Sequence, residues 1–151
     1  MENNESSLWE IYQSVALTPL RQQKTGSITM LLSVWNANGV KRTRLQNRLL
    51  ARKVTKHLAL KGIKYYQVWG GSESMDYREL TLVFQVKNLS QIKRFAEFAE
   101  QNAFYFVKRG QLYLANTRVN QKALKLGQLK EHTKRYPTRL LMLGKNQAVA
   151  E

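Results

Sequence analysis

"ELTLVFQVK", residues 79–87, alternates without a break: Leu80, Leu82, Phe84 and Val86 project to one side and Thr81, Val83, Gln85 and Lys87 to the other. That period of two is the signature of a strand with one face on a core, and a strand needs neighbours. Upstream, "SITMLLSVW" (27–35) is rich in β-formers and apolar on both faces, which predicts a central strand, and "KYYQVW" (64–69) predicts another. The loop "GGSESMDY" (70–77) separates the latter from the opening stretch. Downstream, "FYFVKRGQLYLA" (104–115) reads as a hairpin turning at Arg109-Gly110.

Helices fill the gaps. "NANG" (36–39) is a turn signal, and residues 41–62 follow as a helix closed at Gly62. Ser90 is placed to cap a second helix over 91–102, with Ile92, Phe95, Ala96 and Ala99 on one stripe. The order β-α-β-β-α-β predicts an α+β fold. Its form is a ferredoxin-like split β-α-β antiparallel sheet with two packing helices on one face.

Two flanks extend that core. Leu8, Trp9, Ile11, Tyr12, Val15 and Ala16 fall at helical spacing behind Ser6 and Ser7, with Pro19 as the stop, so residues 1–25 are expected to be a short N-terminal helix and linker. Residues 26–117 are the α+β core, and 118–151 a basic C-terminal helical extension with Leu124, Leu126 and Leu129 on its apolar side.

With 25 Lys+Arg against 10 Asp+Glu, the 151-residue chain has a formal charge of +15, which points to a polyanionic partner, nucleic acid above all. It has no cysteine, which removes thiol chemistry and Cys-ligated metals and fits a reducing compartment. "MENNESSLWEIYQ" has no basic start or apolar core of a signal peptide, and no apolar run reaches membrane-spanning length. A cytoplasmic protein with no membrane association is expected.

The stretch "KRTRLQNRLLARKVTKHLALKG" (41–62) carries eight basic residues and no acid. On a helix Arg44, Arg48, Arg52 and Lys56 step along one stripe at i, i+4, with Lys41 close by. A merely solvated face mixes signs, because mixed pairs help the helix; an unmixed stripe predicts phosphate binding. Residues 108–145 add ten basic side chains against Glu131 alone, and Arg118, Lys122, Lys125, Lys130, Lys134 and Arg135 extend the expected footprint.

Tyr65, Tyr105 and Tyr113 are the rings that would stack on bases if an open sheet face were used, while Tyr66, Phe104 and Phe106 are expected in the core. Asn47 falls among Leu50, Ala51, Val54 and Leu58 on the helix's apolar side, so its amide needs partners. The turn at Trp35-Asn36 and the loop at Gly70-Gly71 are within reach, and Glu79 is expected either to pair with a neighbouring Arg or to belong to the same polar cluster with Asn36.

Little supports catalysis. His57 and His132 have no metal-ligand spacing and neither heads a His-x-Thr tripeptide. Glu73, Asp76 and Glu79 read as a polar loop rather than a metal cluster, and no phosphate-binding or nucleophile motif occurs. No enzyme activity, cofactor or metal is expected.

Trp35-Asn36, the helix with Asn47 and Arg48, Gly70-Gly71, Glu79 and "FAEQNAFYFVKRGQLYLANT" together resemble a family of small bacterial proteins classed only as a domain of unknown function. The resemblance spans about residues 27–117, and Ala37 stands where that family usually has proline. It implies a compact α/β domain and no chemistry. The general style is that of phage- or plasmid-encoded proteins. The expected function is therefore a non-enzymatic nucleic-acid-binding protein, RNA or single strands preferred. The alternatives are a mobile-element inhibitor of a host nucleic-acid-handling or defence complex, bound to a protein or ribonucleoprotein, and a ribosome- or capsid-associated structural protein.

Overall fold

Residues 9–23 and 26–142 are described by a computed structural model. Seven strands build one sheet: β1 (Ala16–Leu17), β2 (Ile28–Ser33), β3 (Tyr65–Gly71), β4 (Arg78–Val86), β5 (Ala103–Lys108), β6 (Gln111–Asn116) and β7 (Leu124–Gln128). Two helices, α1 (Arg44–Leu60) and α2 (Leu89–Phe98), connect β2 to β3 and β4 to β5. Short helical segments occupy 9–13 and 138–142.

The strand order is β1-β3-β4-β2-β5-β6-β7, antiparallel at each named pair. One face carries Met30, Leu32, Leu82, Phe84 and Phe106 against Leu50, Val54 and Leu58 of α1 and Ile92, Phe95 and Ala96 of α2. The other face gathers Leu31, Val83 and Val107 from the middle of the sheet with Val15 and Leu17 from one end and Leu126 and Leu129 from the other. In a flat seven-stranded sheet those ends would stand about 30 Å apart. They meet because the sheet curls into a half-barrel with this second cluster inside.

A seam joins the two ends. Leu17 forms a parallel bridge to Thr133, and the Lys134 N–H donates to the Leu17 carbonyl at 3.0 Å. His132 reaches the Val15 carbonyl through Nδ1 (2.9 Å) and the Leu126 carbonyl through Nε2 (3.3 Å). Both partners are acceptors, so the ring donates to both only as the imidazolium; the neutral form holds one.

The ferredoxin-like expectation is thereby corrected. The β2-α1-β3-β4-α2-β5 succession is present, but it is part of a strongly curled seven-stranded half-barrel covered on both faces, not a split β-α-β sheet with two packing helices. The extra pieces come from the flanks. Residues 15–18 leave the helix early and run extended, shortening the N-terminal helix to 9–13. The C-terminal helical extension is replaced by β7, a 3-10 turn at Leu129–His132 and the short helix at 138–142. The signal lay in "LKLGQ": its Leu-Lys-Leu period of two is strand spacing, and Leu126 turns inward while Lys125 pairs with Tyr113 on β6. Ser6, Ser7, Leu8 and the tail beyond residue 142 lie outside the described residues.

Local chemistry sets the other boundaries. Arg109 (φ 53°) and Gly110 (φ 75°) both sit in the left-handed region, as a two-residue hairpin turn of the primed type requires. At Gly71 the chain doubles back so closely that a Cβ would lie 2.0 Å from the Tyr77 carbonyl oxygen; only glycine fits where the 72–77 loop folds over the end of β3. Among the described residues, no helix is long and apolar enough to cross a membrane.

Candidate nucleic-acid interface

The helix α1 begins three residues later than expected because Thr43 caps it. The Thr43 hydroxyl accepts the Gln46 N–H (3.1 Å) and the Gln46 side chain accepts the Thr43 N–H (3.0 Å), a reciprocal capping box. Asn47, Leu50, Val54 and Leu58 face the sheet and are buried. That orientation leaves Arg44, Arg48, Arg52 and Lys56 exposed along a stripe about 18 Å long. Among the described residues none of the four has a carboxylate at ion-pair distance; the ion pair on α1 is Lys53 with Glu100, 3.9 Å apart on another flank.

The other basic residues expected in the footprint, with Arg42, divide into three groups. Arg118 donates to Asn38 Oδ1 (3.3 Å), and Arg42 donates to the Ala37 carbonyl through Nε (3.3 Å) and Nη2 (3.0 Å), so both grip the turn leading into α1. Lys41 is exposed just before the cap, and Lys122 and Lys125 are exposed on and before β7. Lys130, Lys134 and Arg135 belong to the seam, where Lys134 Nζ lies 5.6 Å from the centre of the Tyr136 ring. The structure thus brings Arg118 to the start of α1 and keeps the seam group with β1.

Of the three candidate stacking rings, Tyr65 is 38% exposed at the start of β3. Tyr105 lies in the inner cluster and its hydroxyl donates to the Tyr12 carbonyl at 2.6 Å, with burial pushing the phenol well above its ordinary pKa. Tyr113 stacks on Phe106, ring centres 4.9 Å apart. With helices on one face and the inner cluster on the other, β2, β4 and β5 present no open sheet surface of the kind that stacks bases.

Asn36, Asn47 and Glu79 are joined in one network. Asn47 Oδ1 accepts the Asn36 N–H (2.8 Å), and Asn47 Nδ2 donates to Asn36 Oδ1 (3.4 Å), which also takes the Arg42 N–H (3.0 Å). Asn36 Nδ2 donates to Glu79 Oε2 (3.1 Å), and the Ser33 hydroxyl to Glu79 Oε1 (2.6 Å). Tyr77, half-exposed overall, turns its hydroxyl onto the same carboxylate. Burial and then the Glu79 charge raise the Tyr77 pKa, which keeps the phenol a donor. Asn36 is in the left-handed region (φ 52°, ψ 58°), a conformation asparagine tolerates. The network therefore locks the turn that aims α1, and through it the stripe. Ser33, Tyr77 and Arg42 were not legible as members, because nothing in their spacing marks a contact made across three elements.

Arg78 is a further buried cation, 1% exposed, lying over Trp69 with its guanidinium 5.1 Å from the ring centre. Nη1 donates to the Met75 carbonyl (2.9 Å) and Nη2 to the Leu141 carbonyl, tying the 138–142 segment to β4. Its Nε has no hydrogen-bond partner among the described residues, and burial lowers its pKa against the pull of Asp76.

His57, on the flank of α1, stacks on Phe98 (4.1 Å between ring centres) and meets Phe95 edge-on. Burial first, then Lys61 and Lys53, lowers its pKa. The unfolded chain therefore binds this proton at higher pH than the native state, so the stability involved is fully present above the unfolded histidine's pKa. It is lost as pH falls toward the lowered native value. His57→Phe is expected to flatten that acid-side loss. Denaturant midpoints of both proteins, followed from about pH 7.5 to about pH 5, check it.

Among the described residues, no three His, Asp or Glu side chains converge to hold a metal ion. No protein-family model, no curated protein and no solved structure matches the chain.

Proposed function

We propose that this is a non-enzymatic nucleic-acid-binding protein of the cytoplasm. It grips phosphates through Arg44, Arg48, Arg52 and Lys56 of α1, helped by the basic residues after β6, and prefers RNA or other single strands to duplex DNA. One observation carries the reading: four exposed cations at i, i+4 on a helix that holds no acid, none of them within ion-pair distance of a carboxylate among the described residues. Such a stripe costs the helix a few tenths of a kcal/mol per like-charged pair, and a row of phosphates opposite it offsets that repulsion. The preference for single strands follows from the lack of any groove-reading motif in the sequence.

A filter-binding titration across salt tests it. Four phosphate contacts give a slope of log affinity against log salt near −3.6 on duplex DNA and somewhat shallower on a single strand, so raising salt fourfold should weaken binding by roughly a hundredfold. A slope near zero, or no retention of RNA or DNA at low salt, overturns the proposal.

A further inference from the structure

The stripe leaves one feature of α1 unexplained. Leu45 and Leu49, 60% and 53% exposed, stand beside it. Neighbouring helix positions are about 100° apart, so these leucines form a crest with the arginines on one side and a cleft on the other. The cleft, about 320 Å³, lies between α1, the 37–42 turn and the end of α2. Ala37, Leu49 and Leu50 give it apolar lining; of its polar residues Arg42 is engaged with the Ala37 carbonyl and Asn47 with Asn36, which leaves Gln46, Lys53 and Glu100 at the rim to meet a ligand.

The rim has a defined pattern. Glu100 offers two acceptor oxygens, and Lys53 Nζ stands 3.9 Å from one of them. Lys53 spends one of its protons on the Phe98 carbonyl (3.2 Å), leaving others to donate. Gln46 Oε1 is occupied by the Thr43 N–H, so its amide nitrogen is the group left for a ligand. An acceptor pair beside a cationic donor complements an edge with two adjacent N–H donors followed by an oxygen. Among the nucleobases guanine has that edge, N2–H and N1–H next to O6; adenine and cytosine place an acceptor (N1 and N3) where guanine has N1–H, and uracil places its O2 acceptor where guanine has N2–H.

We infer that this cleft takes one unstacked guanine of the strand whose phosphates lie on Arg44, Arg48 and Arg52, the nucleotide crossing Leu45 and Leu49 to set its edge between Glu100 and Lys53. The inference rests on the reading of α1 as a strand-binding helix and adds base selectivity to it. Apolar contact with the crest accounts for the two leucines, which phosphate binding alone does not use.

The test measures fluorescence anisotropy with an oligouridylate of about nine nucleotides and with the same strand carrying a single central G, A or C. The G strand is expected to bind about tenfold tighter than the other three. In Glu100→Gln the advantage should collapse to near one, while the U strand binds somewhat tighter because a negative charge beside the stripe is gone. If Glu100 acted only through its charge, all four strands would gain equally and the G advantage would survive, which overturns the guanine site. Equal binding of the four strands by the native protein overturns it as well, but leaves the α1 reading standing. Failure of all four to bind overturns both.

Discussion

Reversal of Arg48 and Arg52 to glutamate is expected to abolish polyanion binding, weakening it by a hundredfold or more at about 0.1 M salt, while the fold survives or gains slightly. The loss follows from counterion arithmetic: two of four phosphate contacts vanish and two repulsive charges replace them, so the salt slope should fall to about half its value or less. The fold survives because both side chains are exposed and neither side chain makes a hydrogen bond or ion pair among the described residues. The gain has a mechanism too. A carboxylate in place of Arg48 would lie one helical turn after Arg44, and one in place of Arg52 would lie one turn before Lys56, turning like-charged pairs into opposite ones. Binding by filter retention and thermal melting of the same preparation separate the two effects. Unchanged binding would return the stripe to an ordinary solvated helix face.

Asn47→Leu should destabilise the fold. Leucine fits the apolar side but removes the acceptor of the buried Asn36 N–H and one donor to Asn36 Oδ1. A buried donor left without a partner costs about 1–3 kcal/mol, so for a chain of this size Tm should fall by roughly 2–12 °C. Because Asn36 also holds Arg42 and Glu79, the turn before α1 should loosen, and RNA affinity should drop by a small factor in parallel. An unaltered Tm would mean that the Asn36–Asn47–Glu79 network is dispensable to the turn.

The parts that were legible in the chain share a cause. The burial of Asn47, Leu50, Val54 and Leu58 on one side of α1 and the exposure of the arginines on the other follow from a fixed helical period. The inward Leu82, Phe84 and Val86 of β4 follow from the strand period. The hairpin at Arg109-Gly110 and the turn at 36–39 follow from residues that accept positive φ. Asn47 was legible as a buried amide in need of a partner, since an isolated polar residue among leucines has to be satisfied locally. Which atom satisfies it was not, because the turn and the loop of Gly70-Gly71 were both within reach.

The curling of the sheet lay beyond such local rules. A strand of alternating residues has the same pattern whether its second face is open to water or closed against the far end of its own sheet. What closes it here is contact between residues far apart in the chain: His132 reaches Val15 across 117 positions, and Leu17 bridges Thr133. The flanks that make those contacts are short and weakly patterned, β1 being two residues long and β7 five. Taken alone, the sequence determined the two helices that pack on the sheet, the central strands and the charged stripe, because each depends on backbone geometry and on side chains within a few residues. The tertiary structure decided that the sheet is a covered half-barrel with no open face for bases. It left the outer side of α1, and the cleft beside it, open to solvent.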